Sequence, residues 1–573
     1  MPRSLATSVM VLTLAGMACT PRSGSYPEDP GYAQDLHGEG ALDDTAADAV
    51  AADADVDSPD ADVPAAEVHD PVPHRGMCMP NDAPFPVRPA VTEQPTLPAI
   101  HVQGRGIVTP DGTAVALRGT NFGAWLQAET WISGLGLVYE DELFDAMPAK
   151  ADQFGVRDLF DIGWNGFAGE WLLGLRSEGP LVDDLRASMY ANATEEREGA
   201  IDAFWNWFDS VPWAFDEQSL WEGFGRRFGW AKSMELREAF ANVWITEEDV
   251  RLVARMGLNL IRVPVWYDAL ETDLAEGGNG FRPEGWKHLD DVARWARKYH
   301  VYVMIDLHGA PGGQSVASHQ GTRDGGHLWT EPACKTKTAR LWKALAAYFD
   351  GDPHVAVLDL LNEPMSMESV AQYRDVHDAI YTAIREADTD ASFIVMAEDG
   401  YKPGSYIASP REMGWTNAMF SIHLYPDGPS SAAEYVEQMQ TELRLADARL
   451  GDATGRFMTR FDCPLFVGEF AAGGTASWCP DAMDKTLALL NSRGVHWAPW
   501  TWKYRAKNDC WGVLQPPVAV EQRLDIGKSF DEVLADFAKL DTKTWVEFGA
   551  FGDALWTRSQ EAVAPLNLSD AIP

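Results

Sequence analysis

Val357-Leu358-Asp359-Leu360-Leu361-Asn362-Glu363-Pro364 is an apolar run that stops at a carboxylate. Residues of this kind fit a strand buried on both faces, and a glutamate placed just past its end is held by rigid backbone. Leu465-Phe466-Val467-Gly468-Glu469-Phe470 repeats the arrangement, with its glutamate 106 residues after Glu363. Working outward, similar runs occur at Ala116 to Gly119, Leu258 to Val263, Val301 to Leu307, Phe393 to Ala397, Met419 to Ile422 and Trp497 to Trp500, which makes eight. Helical patterns separate them. In one, Thr246 caps, Asp249 lies three residues on, Ile245 staples onto Val250, and Gly257 ends the helix. Continuous apolar strands alternating with helices predict an α/β fold, a TIM (β/α)8 barrel whose active site is built at the carboxyl ends of its strands.

The ends of the chain read differently. Of 573 residues with a formal charge of -40, residues 1–18 have the form of an export signal: Arg3, then an apolar stretch too short to span a bilayer, then small residues before Cys19. Gly16-Met17-Ala18-Cys19 resembles a bacterial lipobox, which implies a lipid anchor at Cys19; simple secretion is the alternative. Residues 19–99 read as an acidic, disordered linker, with no Lys or Arg from Ser23 to His74. Residues 100–573 are the expected catalytic domain. A large, mainly helical insertion, about residues 131–244, follows the first strand. Within it Ile201, Phe204, Trp205 and Phe208 form a core stripe at helical spacing. The insertion is expected over the catalytic face as a lid or cleft wall. Residues after Asp541 exceed what a barrel needs. Among Cys78, Cys334, Cys463, Cys479 and Cys510, the last three fall near the final strands and are the expected source of a disulfide, and an odd count leaves at least one cysteine outside any bridge. The acidity excludes nucleic acid as a partner, and a monomer is expected.

Eight units in roughly 250 residues put three units at about 94 residues, so Glu363 and Glu469 belong to the fourth and seventh strands, across the barrel mouth. Two carboxyl groups about 5 to 5.5 Å apart cleave a glycosidic bond with retention, one as nucleophile and the other as acid and then base. Asp306, His308 and the glutamates are also conceivable metal ligands. Barrel metallohydrolases that resemble amidohydrolases place His-x-His after the first strand, and Leu117-Arg118-Gly119-Thr120-Asn121 holds none. No catalytic metal and no cofactor are expected.

At these residues the chain resembles glycoside hydrolase family 5, of the larger clan A. The matches run in order: Arg262 in Ile261-Arg262-Val263-Pro264, His308 in Asp306-Leu307-His308-Gly309, Asn362-Glu363, His423 and Tyr425 in His423-Leu424-Tyr425, Glu469, and Trp502 in Trp500-Thr501-Trp502-Lys503. The resemblance implies Glu469 as nucleophile, kept ionised by Arg262 and Tyr425, and Glu363 as acid/base, its pKa raised by Glu469. It also implies Asn362 on the sugar 2-hydroxyl, His308 and His423 completing the polar wall, and Trp502 as the floor under the reacting sugar. Trp125-Leu126-Gln127-Ala128-Glu129-Thr130-Trp131 and Leu307-His308-Gly309-Ala310-Pro311-Gly312-Gly313-Gln314 are similar to the exo-β-1,3-glucanase branch, where the residue matching Glu129 binds substrate hydroxyls. Thr130 replaces that branch's usual Pro, and the stretch from Ser315 lacks its Asn-Gly and Asp-Asn-Ser-Gly elements. The resemblance thus implies a retaining hydrolase of β-glucan, with β-1,3-linkages leading. A β-1,4-glucanase (cellulase) or β-mannanase on the same barrel stays open, as does a noncatalytic carbohydrate-binding surface protein.

Overall fold

The computed structural model describes residues 78–567 apart from 136–139, 163–177, 211–215, 273–279, 323, 400–409, 411, 427, 450–462 and 518–527. The leader, Cys19 and the linker up to residue 77 lie outside the described residues. Eight parallel strands form one sheet: β1 (Gly119–Asn121), β2 (Leu260–Trp266), β3 (Tyr302–Gly309), β4 (Val355–Asp359), β5 (Ile394–Glu398), β6 (Ala418–His423), β7 (Leu465–Glu469) and β8 (His496–Trp497). A parallel bridge from Arg118 to Trp497 closes the sheet into a barrel. Asn121 seals the seam, its Nδ2 donating to the carbonyls of Gly468 (2.9 Å) and Ala498 (3.1 Å). Seven of the eight units show their helix among the described residues. In the first of these, Glu247–Arg255, the buried Asp249 carboxylate accepts the Thr246 amide at 2.7 Å, as a capping box requires.

Side chains alternate along a strand, so residues two apart share a face. At the amino end the barrel interior holds Leu260, Met304, Val357, Met396, Met419 and Phe466, plugged from below by Ile100 and Ile107 of a small antiparallel sheet. Two residues further along those same strands stand Arg262, Asp306, Asp359, Glu398 and Ser421, all buried. Two further still, β3 and β6 present His308 and His423. Strand periodicity therefore stacks an oily layer, a charged layer and a polar mouth.

Three expectations change. Part of the stretch read as linker, residues 78–99, is fixed to the barrel: Cys78 is disulfide-bonded to Cys334, Asn81 Nδ2 donates to Glu271 at 2.8 Å, and Arg88 pairs with Asp290 (2.6 Å) and Asp352 (2.8 Å). The bridge thus lies outside Cys463, Cys479 and Cys510, which are buried. The stretch after Asp541 supplies the eighth barrel helix, Gly549–Ser559. It lies between the first and seventh barrel helices, with Ser559 Oγ donating to the Met256 carbonyl (3.1 Å) and Arg558 pairing with Asp484 (2.6 Å).

The insertion has two parts. Ile201, Phe204, Trp205 and Phe208 of the helix Glu198–Ser210 are buried in a cluster of their own with Met147, Phe160 and Met189. The helices Glu217–Phe228 and Trp230–Trp244 pack into the main core instead. Asp216 caps the former by accepting the Ser219 amide at 2.8 Å. That start is pinned on the carboxyl-end face: Glu217 accepts the Ala128 amide (2.6 Å) from the loop after β1, and the Gln218 amide donates to the Gly321 carbonyl (2.9 Å) in the loop after β3.

Candidate active site

Glu363 and Glu469 meet across the barrel mouth. One ligating atom from each of Glu363, His423 and Glu469 lies within 4.8 Å of the others. The two carboxylates have different company. Glu469 accepts from Arg262 Nη1 at 2.8 Å and from the Tyr425 hydroxyl at 2.9 Å. Glu363 has His423 Nδ1 at 2.7 Å on one oxygen and His319 Nε2 at 3.3 Å from the other. Gly468 makes the approach possible, because a Cβ there would come within 2.8 Å of the His423 ring.

Arg262 organises the charge. Besides Glu469 it reaches Asp306 at 3.0 Å, Asp359 at 2.9 Å and Glu398 at 3.6 Å, all in the buried layer beneath. One cation cannot neutralise four anions at these distances, so protons must be held somewhere in the set. Burial drives the Asp306 and Asp359 carboxyls up to about 7 despite Arg262. For Glu469 burial also pulls upward, but His423 and Arg262, followed by His308 and the Tyr425 hydrogen bond, win and hold it at about 2. It is an anion at neutral pH. Burial opposes a charged His423, yet Glu398 against Nε2, Glu469, and the bond to Glu363 raise its pKa well above the usual value. His308 goes the other way: burial lowers it to about 3, leaving a neutral ring whose Nδ1 faces Asp306 at 2.6 Å.

The structure brings Arg262, His308, Asn362, Glu363, His423, Tyr425 and Glu469 together. Asn362 accepts from Arg262 Nη2 at 2.8 Å, and its Nδ2 lies 3.3 Å from His308 Nε2. Gln314 clamps this edge by donating to the carbonyls of His308 (2.7 Å) and Asn362 (2.9 Å). Glu129 stands on the wall after β1, accepting from Trp131 Nε1 at 2.7 Å. Trp131 packs edge-on against Trp511 at 5.2 Å, and Trp511 against Tyr425 at 5.8 Å, so aromatic contacts connect Glu129 to the hydroxyl that donates to Glu469.

Trp502 is not brought to the mouth, which corrects its expected role as floor. Its ring is fully buried against Phe122, and Nε1 donates to Asp249 at 2.8 Å in the layer outside the barrel. Trp500 is the indole that stands beside the site's polar edge, stacked on His308 at 5.5 Å and 15°. Trp500 ends the eighth apolar run, the same strand-end rule that marked the glutamates. Lys503 is structural as well, its Nζ bonded to Thr542 Oγ1 at 2.7 Å and to the Trp244 carbonyl. His319 and Glu398 carried no motif signal; a loop delivers the first and the interior end of β5 the second.

The Glu363, His423 and Glu469 atoms are near enough to one another to grip a cation, but the donor set argues otherwise. Arg262 already provides positive charge on Glu469, and His423 Nδ1 faces Glu363.

Fold and site together define a clan A glycosidase fold, with glutamates following β4 and ending β7. Residues 223–506 match the model described as Cellulase (glycosyl hydrolase family 5), and that stretch is a domain of the family. Among relatives, a beta-xylosidase of Phanerodontia chrysosporium is 29% identical over 225 residues, covering 38% of this chain and 45% of that one. A glucan 1,3-beta-glucosidase of Blumeria graminis is 29% identical over 269 residues, covering 43% and 62%. The chain thus spans about half the length of these relatives. A rutinosidase structure from Aspergillus niger aligns over 68% of this chain and 90% of its own, at 18% identity and a TM-score of 0.44. No helix among the described residues is long and apolar enough to cross a membrane.

Proposed function

We propose that the protein is an exported retaining β-glucanase acting on β-1,3-linkages. The observation that carries this reading is the carboxylate pair, oxygen to oxygen within 4.8 Å, with one member held as an anion by Arg262 and Tyr425. That spacing suits double displacement; inversion needs about 6.5 to 9.5 Å, to admit a water.

In the first step Glu469 attacks the anomeric carbon while Glu363 gives its proton to the departing glycosidic oxygen. The C–O bond breaks and a glycosyl ester forms. Esterification removes the negative charge beside Glu363, which then takes a proton from water as that water attacks the anomeric carbon and breaks its bond to Glu469, freeing the carboxylate. Asn362, oriented by Arg262, holds the sugar 2-hydroxyl, an interaction that strengthens as positive charge develops on the ring. Trp500 offers an apolar face to the sugar's C–H side. Glu129 binds hydroxyls further from the scissile bond.

The β-1,3 choice is supported by the resemblance around Trp125 to Trp131 and by the name of the Blumeria relative. Export rests on residues 1–18, with lipidation at Cys19 as one fate and release as a monomer as the other. Product profiles from laminarin, carboxymethylcellulose and mannan test the substrate. Glucose or gluco-oligosaccharides from laminarin, first appearing as the β-anomer by NMR, are expected. Mannose products with no action on glucans would overturn the substrate, and an α-anomer would overturn retention.

A further inference from the structure

Two buried thiols lie where the loops that follow β7 and β8 cross. Cys479 opens the helix Cys479–Ser492, and its Sγ donates to the carbonyl oxygens of Gly473 (3.3 Å) and Gly474 (3.1 Å). The amide of Cys510, beyond β8, donates to that same Gly474 oxygen at 3.0 Å. A shared acceptor brings the two residues side by side, each with a free thiol. Both residues are fully buried, so neither sulfur has solvent as a competing partner. The chain already carries one long-range disulfide, Cys78–Cys334, the mark of a compartment that oxidises adjacent thiols.

We propose that Cys479 and Cys510 form a second disulfide, which ties the loop after β7 to the loop after β8 beside the nucleophile. The chemistry is thiol–disulfide exchange with a small or protein disulfide as oxidant, before the two loops close over the sulfurs. The Cys479 thiolate attacks that disulfide and expels one thiolate. Cys510, deprotonated in turn, attacks the Cys479 sulfur of the mixed disulfide and expels the second. Two protons leave the protein, two cysteines are oxidised, and one external disulfide becomes two thiols.

The crosslink bears on the site through its neighbours. Trp511 follows Cys510 directly and packs on Tyr425 at 5.8 Å and on Trp131 at 5.2 Å. Gly473 lies under that indole, where a Cβ would come within 2.9 Å of the ring. Joining the loops therefore fixes the wall that carries the Tyr425 hydroxyl to Glu469.

Full-length protein refolded in glutathione disulfide, then denatured in guanidinium with iodoacetamide and no reductant, is digested for mass spectrometry. A linked peptide pair containing Cys479 and Cys510, separating on reduction with a gain of two hydrogens, is the expected result. Carbamidomethylated Cys479 and Cys510, whatever the state of Cys78–Cys334, would overturn the proposal, as would a link from either to Cys463. In a second measurement, Cys510→Ser should lower Tm by several degrees in the oxidising buffer and by much less against reduced wild type. Equal losses in both buffers would also overturn it.

Discussion

Tyr425→Phe isolates one of the forces that keep Glu469 ionised. The Tyr425 hydroxyl donates to that carboxylate at 2.9 Å, while Arg262 stays at 2.8 Å on the other oxygen. A hydrogen bond to a charged group contributes about 1.5–3 kcal/mol. At about 1.36 kcal/mol per pKa unit, its loss should raise the Glu469 pKa by roughly one to two units from its value of about 2. The sign follows from which form is active. On the proposed mechanism Glu469 attacks as an anion, so activity is present above its pKa and lost as pH falls through it. The acid limb of kcat/KM for an aryl β-glucoside, measured in short incubations across the acidic range, should therefore move upward while the alkaline limb stays. Stability moves in the same sense. A carboxyl depressed from 4.5 to about 2 in the folded state stabilises above 4.5 and loses that contribution as pH falls towards 2, so the variant's penalty should fade in acid. A uniform drop in kcat/KM at every pH, with the acid limb unmoved, would refute the reasoning and leave Tyr425 as a sugar contact only.

Trp500→Ala should cost 10- to 100-fold in kcat/KM, about 1.4–2.8 kcal/mol. Trp502→Phe should leave kcat/KM near wild type but lower stability by about 1–3 kcal/mol by removing a donor from buried Asp249; the reverse pattern would restore Trp502 as the floor. Burial raises the Glu398 carboxyl well above its ordinary range, so it shares a proton with His423 Nε2; Glu398→Gln makes that partner neutral at every pH, so His423 should lose its proton at lower pH and the alkaline fall of kcat should come earlier, and an unchanged profile would count against a charged His423. Cys334→Ala should cost about 2–5 kcal/mol in chemical denaturation and speed hydrogen–deuterium exchange across residues 78–88, where Arg88 is held by Asp290 and Asp352. Unchanged exchange there would mean that those ion pairs alone hold the segment.

The barrel was legible because most of its strands carry apolar residues on both faces along much of their length, a pattern that survives without any knowledge of neighbours. Glu363 and Glu469 were legible for a related reason: an ionisable residue directly after such a run has left the core. The same rule pointed to Trp500, but the motif resemblance pointed to Trp502, and only packing distinguishes a ring stacked on His308 from one bonded to Asp249. His319 could not be read because its loop is positioned by residues of another segment. Residues 78–99 were misread because composition describes the chain before it meets a surface; Arg88 finds one acid on an outer helix and another in the turn before β4, and no local pattern announces either. The eighth helix was missed because about fifty residues intervene between β8 and Gly549–Ser559.

The hydrogen bond from the Gln218 amide to the Gly321 carbonyl gives the insertion unequal freedom. Its inner edge braces the turn from which His319 approaches Glu363, so paring the protein down to a bare barrel would spare both glutamates and set that turn adrift. Its outer cluster, around Phe204 and Trp205, keeps a core of its own and is at liberty to be resculpted. Protein engineers trimming or grafting this scaffold should cut outside Asp216.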